Sequence, residues 1–111
     1  MAKILFLDDC EMRHDLVQLF HGEKHEIVPV WNVEDCITKL SAESWDVVSL
    51  DNDLGTGMRE GREVARWLEE NPHYIPHQVL LHTNNYVAAN AMRAAIPHAV
   101  ESSWWIKPEP K

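Results

Sequence analysis

The chain has 111 residues, 45% apolar and 25% charged, which sets the expectation of one globular domain over 1–111 with a core of its own. Its formal net charge of −8 argues against a broad nucleic-acid surface, which calls for a basic stripe. No apolar run approaches the ~20 residues of a membrane-spanning helix, and the start, "MAKILFLDDC", lacks the long apolar region of a signal peptide, so a cytoplasmic protein without membrane contact is expected.

In chain order, "KILFL" (3–7) is a continuous apolar run of strand length. The next segment, "EMRHDLVQLFHG", has helical spacing, with Met12, Leu16, Leu19 and Phe20 on one face and Gly22 as the stop. "EIVPVW" (26–31) reads as a strand, and Pro29, which cannot donate to a ladder, places it at a sheet edge. Asn32 suits the cap of a helix whose apolar face is Val33, Cys36, Ile37 and Leu40. "DVVSL" (46–50) is the third strand, followed by a loop with Gly55, Gly57 and Gly61 that suits a mobile cover rather than a phosphate cradle. A helix then buries Val64, Trp67 and Leu68 and stops before Pro72. "QVLLH" (78–82) is the fourth strand, and "NYVAANAMRAAI" a helix with Val87, Ala91, Met92 and Ala95 on one side. "HAVESSWWI" (98–106) reads as the fifth strand. Trp67 and Met92 sit at helical spacing with other apolar residues and belong to the core rather than to a ligand cage.

Strand and helix in alternation mean parallel strands joined by right-handed crossovers. The expected fold class is α/β, a doubly wound open parallel sheet whose functional crevice lies at the carboxyl ends of the strands. The residues there are Asp8 and Asp9, then Asp51, Asn52 and Asp53, then His82, Thr83, Asn84 and Asn85. Helix capping accounts for one Asp or Asn per turn. It leaves paired acids on two neighbouring strands unexplained, and like charges placed together call for a cation. Cys10 and Cys36 have no metal-ligand spacing and read as reduced thiols. The seven His residues form no HxxxH or HExxH pattern for zinc.

"ILFLDD", "VVSLDNDL" and "VLLHTNN" resemble the receiver domain of two-component response regulators. That resemblance implies five strands in the flavodoxin-like order 2-1-3-4-5. It also implies an acidic pair at Asp8 and Asp9, a phosphoacceptor at Asp51, a hydroxyl at Thr83 and a cation at Lys107 before Pro108. Within that fold, "SLDNDLGTG", "REVARWL" and "LLHTNNYVAANAM" are similar to the cyclic-phosphate-processing receiver family. The likeness rests on Asp51, Asp53, Leu54 and Gly55, on Val64, Ala65, Trp67 and Leu68, and on His82, Thr83, Asn85, Ala89 and Met92. Asn52 and Thr83 depart from it, standing where that family often has His and Ser. The last receiver helix is missing, which leaves Trp104 and Trp105 either as a homodimer or partner surface or folded back on the sheet.

Asp9 and Asp51, from adjacent strands, suit a shared Mg²⁺, with Mn²⁺ able to substitute. Asp8 would complete the outer shell, and the resemblance adds the backbone carbonyl of Asp53. Thr83, Asn85 and Lys107 would hold phosphate oxygens, and His82 would move a proton. The leading expectation is a metal-dependent phosphohydrolase acting on a cyclic phosphate, at an RNA end or in a cyclic nucleotide, with Asp51 as nucleophile or metal ligand. The alternatives are a phosphoacceptor receiver in a relay and a receiver-like protein that captures a cyclic nucleotide without turnover.

Overall fold

The computed structural model describes residues 1–108. Its strands are β1 (Lys3–Leu7), β2 (Glu26–Val30), β3 (Val47–Leu50), β4 (Gln78–Leu81) and β5 (Val100–Glu101). They form one parallel sheet in the order β2-β1-β3-β4-β5. The helices are α1 (Glu11–His21), α2 (Val33–Ala42), α3 (Arg62–Glu70) and α4 (Tyr86–Ala95), with 3₁₀ turns at Pro72–Tyr74 and Trp104–Ile106. The doubly wound receiver-like fold read from the sequence is therefore the fold observed. Pro29 does lie on an edge strand, opposite Phe6.

Period-two alternation assigns each strand residue to a face. Leu5, Leu7, Val48, Leu50, Val79 and Leu81 face α2, α3 and α4 and form the larger core with Val33, Cys36, Leu40, Val64, Leu68 and Met92. Ile4, Phe6 and Val47 face the other way, toward Val17 of α1. Each fully buried aliphatic side chain contributes roughly 1.5–3 kcal/mol, so the two cores dominate stability.

Three expectations need correction. The fifth strand is Val100–Glu101 alone, because the segment turns at Trp104–Ile106 instead of continuing. In α1 the buried stripe is His14, Val17 and His21, while Met12 and Leu19 are 66% and 73% exposed. The two histidines enter the interior because each has a carbonyl to bond: His14 Nε2 to Asp8 O at 2.8 Å and His21 Nε2 to Trp104 O at 2.9 Å. In α4 the buried side is Ala88, Ala89 and Met92, and Val87 is exposed.

The face opposite α2–α4 is covered by α1 and the Trp104–Ile106 turn. Trp104 and Trp105 pack against Ile4, Phe6 and Val47. Trp104 meets Phe6 edge to face at 5.9 Å and donates its indole N–H to Ser49 Oγ at 2.9 Å. The tryptophans thus fold back on the sheet, the second of the two arrangements the sequence allowed. No helix among the described residues is long and apolar enough to cross a membrane.

Candidate functional site

Register builds the site. Leu7 pairs with Leu50, and Leu50 with Leu81, so the next residue on each strand, Asp8, Asp51 and His82, stands at one height on the carboxyl rim. Backbone bonds hold that level: Asp51 N–H to Leu7 O at 3.1 Å and His82 N–H to Leu50 O at 3.0 Å. Because the three leucines point toward α2–α4, alternation turns the three polar residues toward α1. One ligand atom from each comes within 4.8 Å of the others.

The two carboxylates are in opposite situations. Asp8 is wholly buried, with Oδ1 accepting from Cys10 N–H at 2.8 Å and Oδ2 from Arg13 Nε at 2.8 Å and His82 Nε2 at 3.0 Å. Burial alone would raise its pKa, but these donors outweigh burial and lower it to about 2. Asp51 accepts from the N–H of Asn52 at 2.9 Å, and its Oδ2 lies 3.7 Å from Arg13 Nη2. Burial and the charge of Asp8 push its carboxyl up to about 7, with Arg13 opposing them incompletely. Asp51 is thus a carboxyl short of a cation.

His82 is positioned by a chain of hydrogen bonds. Its Nδ1 lies 2.7 Å from Ser49 Oγ, which accepts the Trp104 indole N–H; the Asp8 carboxylate can only accept from Nε2, so Nδ1 is the bare nitrogen of the neutral ring and the Ser49 hydroxyl donates to it. The proton of the neutral ring is then on Nε2 and points at Asp8. The ring stacks on Phe6 at 4.6 Å, and burial lowers its pKa, a shift opposed by Asp8. Both nitrogens are engaged inside the protein, which fits a residue that orients Asp8 rather than one that exchanges protons with an external molecule. Ser49→Ala is expected to cost about 1–3 kcal/mol in urea denaturation, because it strands a half-buried indole N–H and a buried imidazole nitrogen. A loss below about 0.5 kcal/mol would show that the chain does not hold His82.

Other candidates fall in different places. Asp9 is exposed, its Oδ1 3.9 Å from the same Arg13 Nη2 that faces Asp51. The two acids therefore converge on one cation, and in this structure that cation is a guanidinium. Asp53 is exposed and accepts from Asn52 Nδ2 at 3.2 Å. Buried Asn52 braces the loop, since its Nδ2 also donates to Glu60 Oε1 at 2.9 Å and its Oδ1 accepts from Arg62 N–H at 3.0 Å. Thr83 Oγ1 accepts from Asn85 N–H at 3.1 Å at the mouth of a cleft of ≈170 Å³. That cleft is lined by Arg13, Asp51, Asp53, His82, Thr83, Asn84, Ser103 and Trp105. Asn85 does not line it. Its side chain caps α4, accepting from Ala88 N–H at 3.0 Å. Nor does Lys107 line it: that residue is exposed, and its side chain makes no hydrogen bond or ion pair among the described residues. The expected cation at this position is therefore absent from the cleft, because the chain turns aside at Trp104–Ile106.

Sequence reading missed Arg13, Ser49 and Ser103 as site residues, and placed Trp105 at a surface or on the sheet rather than in the cleft. Two signals were present. Arg13 stands one helical turn after Asp9, and Ser49 interrupts an otherwise apolar strand. Chemically, the rim offers hard carboxylate oxygens around an under-neutralised Asp51. That donor set fits a divalent cation of the Mg²⁺ or Mn²⁺ type.

Solved structures similar to the chain are response-regulator receivers. The Mn²⁺-bound form of response regulator Rcp1 has 19% identity and a TM-score of 0.76, covering 92% of this chain and 81% of its own. The phosphorylated cyanobacterial phytochrome response regulator RcpA has 19% identity and a TM-score of 0.78, over 94% and 83%. TrrA from Thermotoga maritima in complex with Mg²⁺–BeF has 24% identity and a TM-score of 0.72, over 94% and 89%. At these identities the likeness shows the fold. No curated protein matches the chain. The family model described as "Cyclic-phosphate processing Receiver domain" matches residues 3–98, and the chain, with its Asp8, Asp51 and His82 level on one rim, belongs to that family.

Proposed function

We propose that the protein is a phosphoacceptor receiver in which Asp51 takes a phosphoryl group. The observation that carries this reading is the inequality of the two buried acids. Asp8 is locked by three donors, whereas Asp51 opens to the cleft with Oδ2 in no hydrogen bond among the described residues. An Asp51 oxygen attacks phosphorus, the bond from phosphorus to the donor's leaving oxygen breaks with its electron pair, and an acyl phosphate remains on Asp51. Asp8, Asp9 and Asp51, with the Asp53 carbonyl, are the groups that would hold a divalent ion. When bound, such an ion neutralises the acids and the charge that develops on the phosphoryl oxygens. Mg²⁺ and Mn²⁺ are the proposed ions, supported by the donor set and by the metal-bound neighbours. The partner is then a phosphodonor, protein or small molecule.

A second reading follows from the family description and from the walls of the cleft, which join hydroxyls of Thr83 and Ser103 to the ring of Trp105. Here an activated water attacks a cyclic phosphate, or Asp51 attacks it and water then cleaves the bond from phosphorus to Asp51; one ring phosphorus–oxygen bond breaks, and the freed ribose oxygen takes the proton that the water gives up. One sample tests both. With Mg²⁺ and acetyl phosphate, intact mass is expected to show a single phosphoryl group on Asp51, absent in Asp51→Asn. Turnover of a 2′,3′-cyclic nucleotide without any phosphoryl adduct would favour the second reading and overturn the first.

A further inference from the structure

Arg13, rather than Lys107, is the cation that grips phosphate oxygens in the cleft; this we infer from how the two residues are placed, on the reading of Asp51 as phosphoryl acceptor. Lys107 lies outside the cleft lining, exposed beyond the Trp104–Ile106 turn. Arg13 lines the cleft beside Asp51, Thr83, Asn84 and Ser103. Its Nε is tied to Asp8 Oδ2 at 2.8 Å, which fixes the plane of the guanidinium. The terminal nitrogens are not so committed. Nη2 stands 3.7 Å from Asp51 Oδ2 and 3.9 Å from Asp9 Oδ1, ion-pair distances longer than a hydrogen bond. Neither terminal nitrogen makes a hydrogen bond among the described residues. The guanidinium carbon lies 5.9 Å over the Trp105 ring, which keeps the group on the cleft side.

A guanidinium anchored through Nε presents its remaining donors as a fork that matches two oxygens of a tetrahedral phosphate. A phosphoryl group on Asp51 Oδ2 would put its oxygens within reach of that fork. A purely structural ion pair would be expected to close on Asp51 at hydrogen-bond length, and Arg13 does not.

The test is binding of inorganic phosphate in the presence of Mg²⁺, by calorimetry, to wild type and to Arg13→Gln, Arg13→Lys and Lys107→Ala, with melting curves to confirm folding. Arg13→Gln is expected to weaken phosphate binding by roughly tenfold or more. Arg13→Lys keeps the charge beside buried Asp8 and so preserves the fold if the glutamine variant does not. Lacking the fork, it should still lose several-fold. Lys107→Ala should stay within about twofold of wild type. Wild-type affinity in both Arg13 variants, a larger loss in Lys107→Ala, or no phosphate binding by wild type each overturns the inference. Failure of acetyl phosphate to modify a wild-type protein that does bind phosphate through Arg13 would instead count against Asp51 as acceptor.

Discussion

Asp51→Asn is expected to make the metal-free protein more stable than wild type near pH 8, by about 2 kcal/mol or more, because it removes a buried carboxyl that Arg13 neutralises only in part. Unfolded, Asp51 ionises near 3.8, and folded, at about 7. Between those values the folded state holds a proton that the unfolded state has released, so wild-type stability falls as pH rises. The substitution removes that slope while keeping an oxygen for the Asn52 N–H. Asp8 behaves oppositely. Its folded pKa is lowered to about 2 from 3.8, so the stability it contributes is present above about pH 4 and lost as pH falls toward 2. Urea denaturation in chelator at about pH 5 and pH 8 separates the two groups. An Asp51→Asn protein with the wild-type slope would show that Asp51 is already neutralised in the fold. The same substitution would give up function for stability, since it deletes the proposed phosphoryl acceptor, a trade that active sites commonly make.

Gly61→Ala is expected to be the most damaging of the four glycine-to-alanine substitutions, costing at least about 3 kcal/mol. A Cβ at Gly61 would lie 1.8 Å from the Asp51 carbonyl oxygen, 2.8 Å from its carbon and 3.1 Å from Asn52 Cα. All three are backbone atoms and cannot swing aside. The approach exists because Gly61 N–H donates to Asn52 O at 2.8 Å, stitching the start of α3 to the rim residues. Space, not backbone angle, demands glycine here, for φ is −58°. Gly57 is the reverse case: φ is +77° and nothing lies within 4 Å, so Gly57→Ala should cost only about 1 kcal/mol. Thermal melts of the two variants check the contrast. Gly61→Ala within a degree or two of wild type would mean that the loop does not pack against Asp51 as described.

The alternation of strands and helices, the edge position of Pro29 and the polar rim were legible because they follow from strong local signals, apolar runs of strand length and acids at their ends, whereas the strand order came from the resemblance to receivers. Apolarity misled wherever polar groups were buried with partners. The inner stripe of α1 carries His14 and His21, each bonded to a carbonyl, so counting apolar residues selected the exposed Met12 and Leu19 instead. The rim residues themselves divide in a way that spacing does not reveal. Asn85 caps a helix, Asn52 braces a loop, and His82 faces inward to Asp8. The acids were expected to share Mg²⁺ and the phosphate to meet Lys107, whereas in the structure Arg13 reaches the acids from the first turn of α1. Such a contact depends on how the helix docks on the sheet, which only tertiary packing determines.

The claim on which the rest stands is that Asp51 is a buried carboxyl lacking a full counter-cation. Carbon-13 NMR titration of its carboxyl, first in chelator and then with saturating Mg²⁺, tests it most directly. The midpoint should lie near about 7 without metal, well above the 3.8 of an ordinary aspartate, and should fall markedly when Mg²⁺ is added. A midpoint in the ordinary carboxylate range without metal, or one that Mg²⁺ leaves in place, would contradict the account.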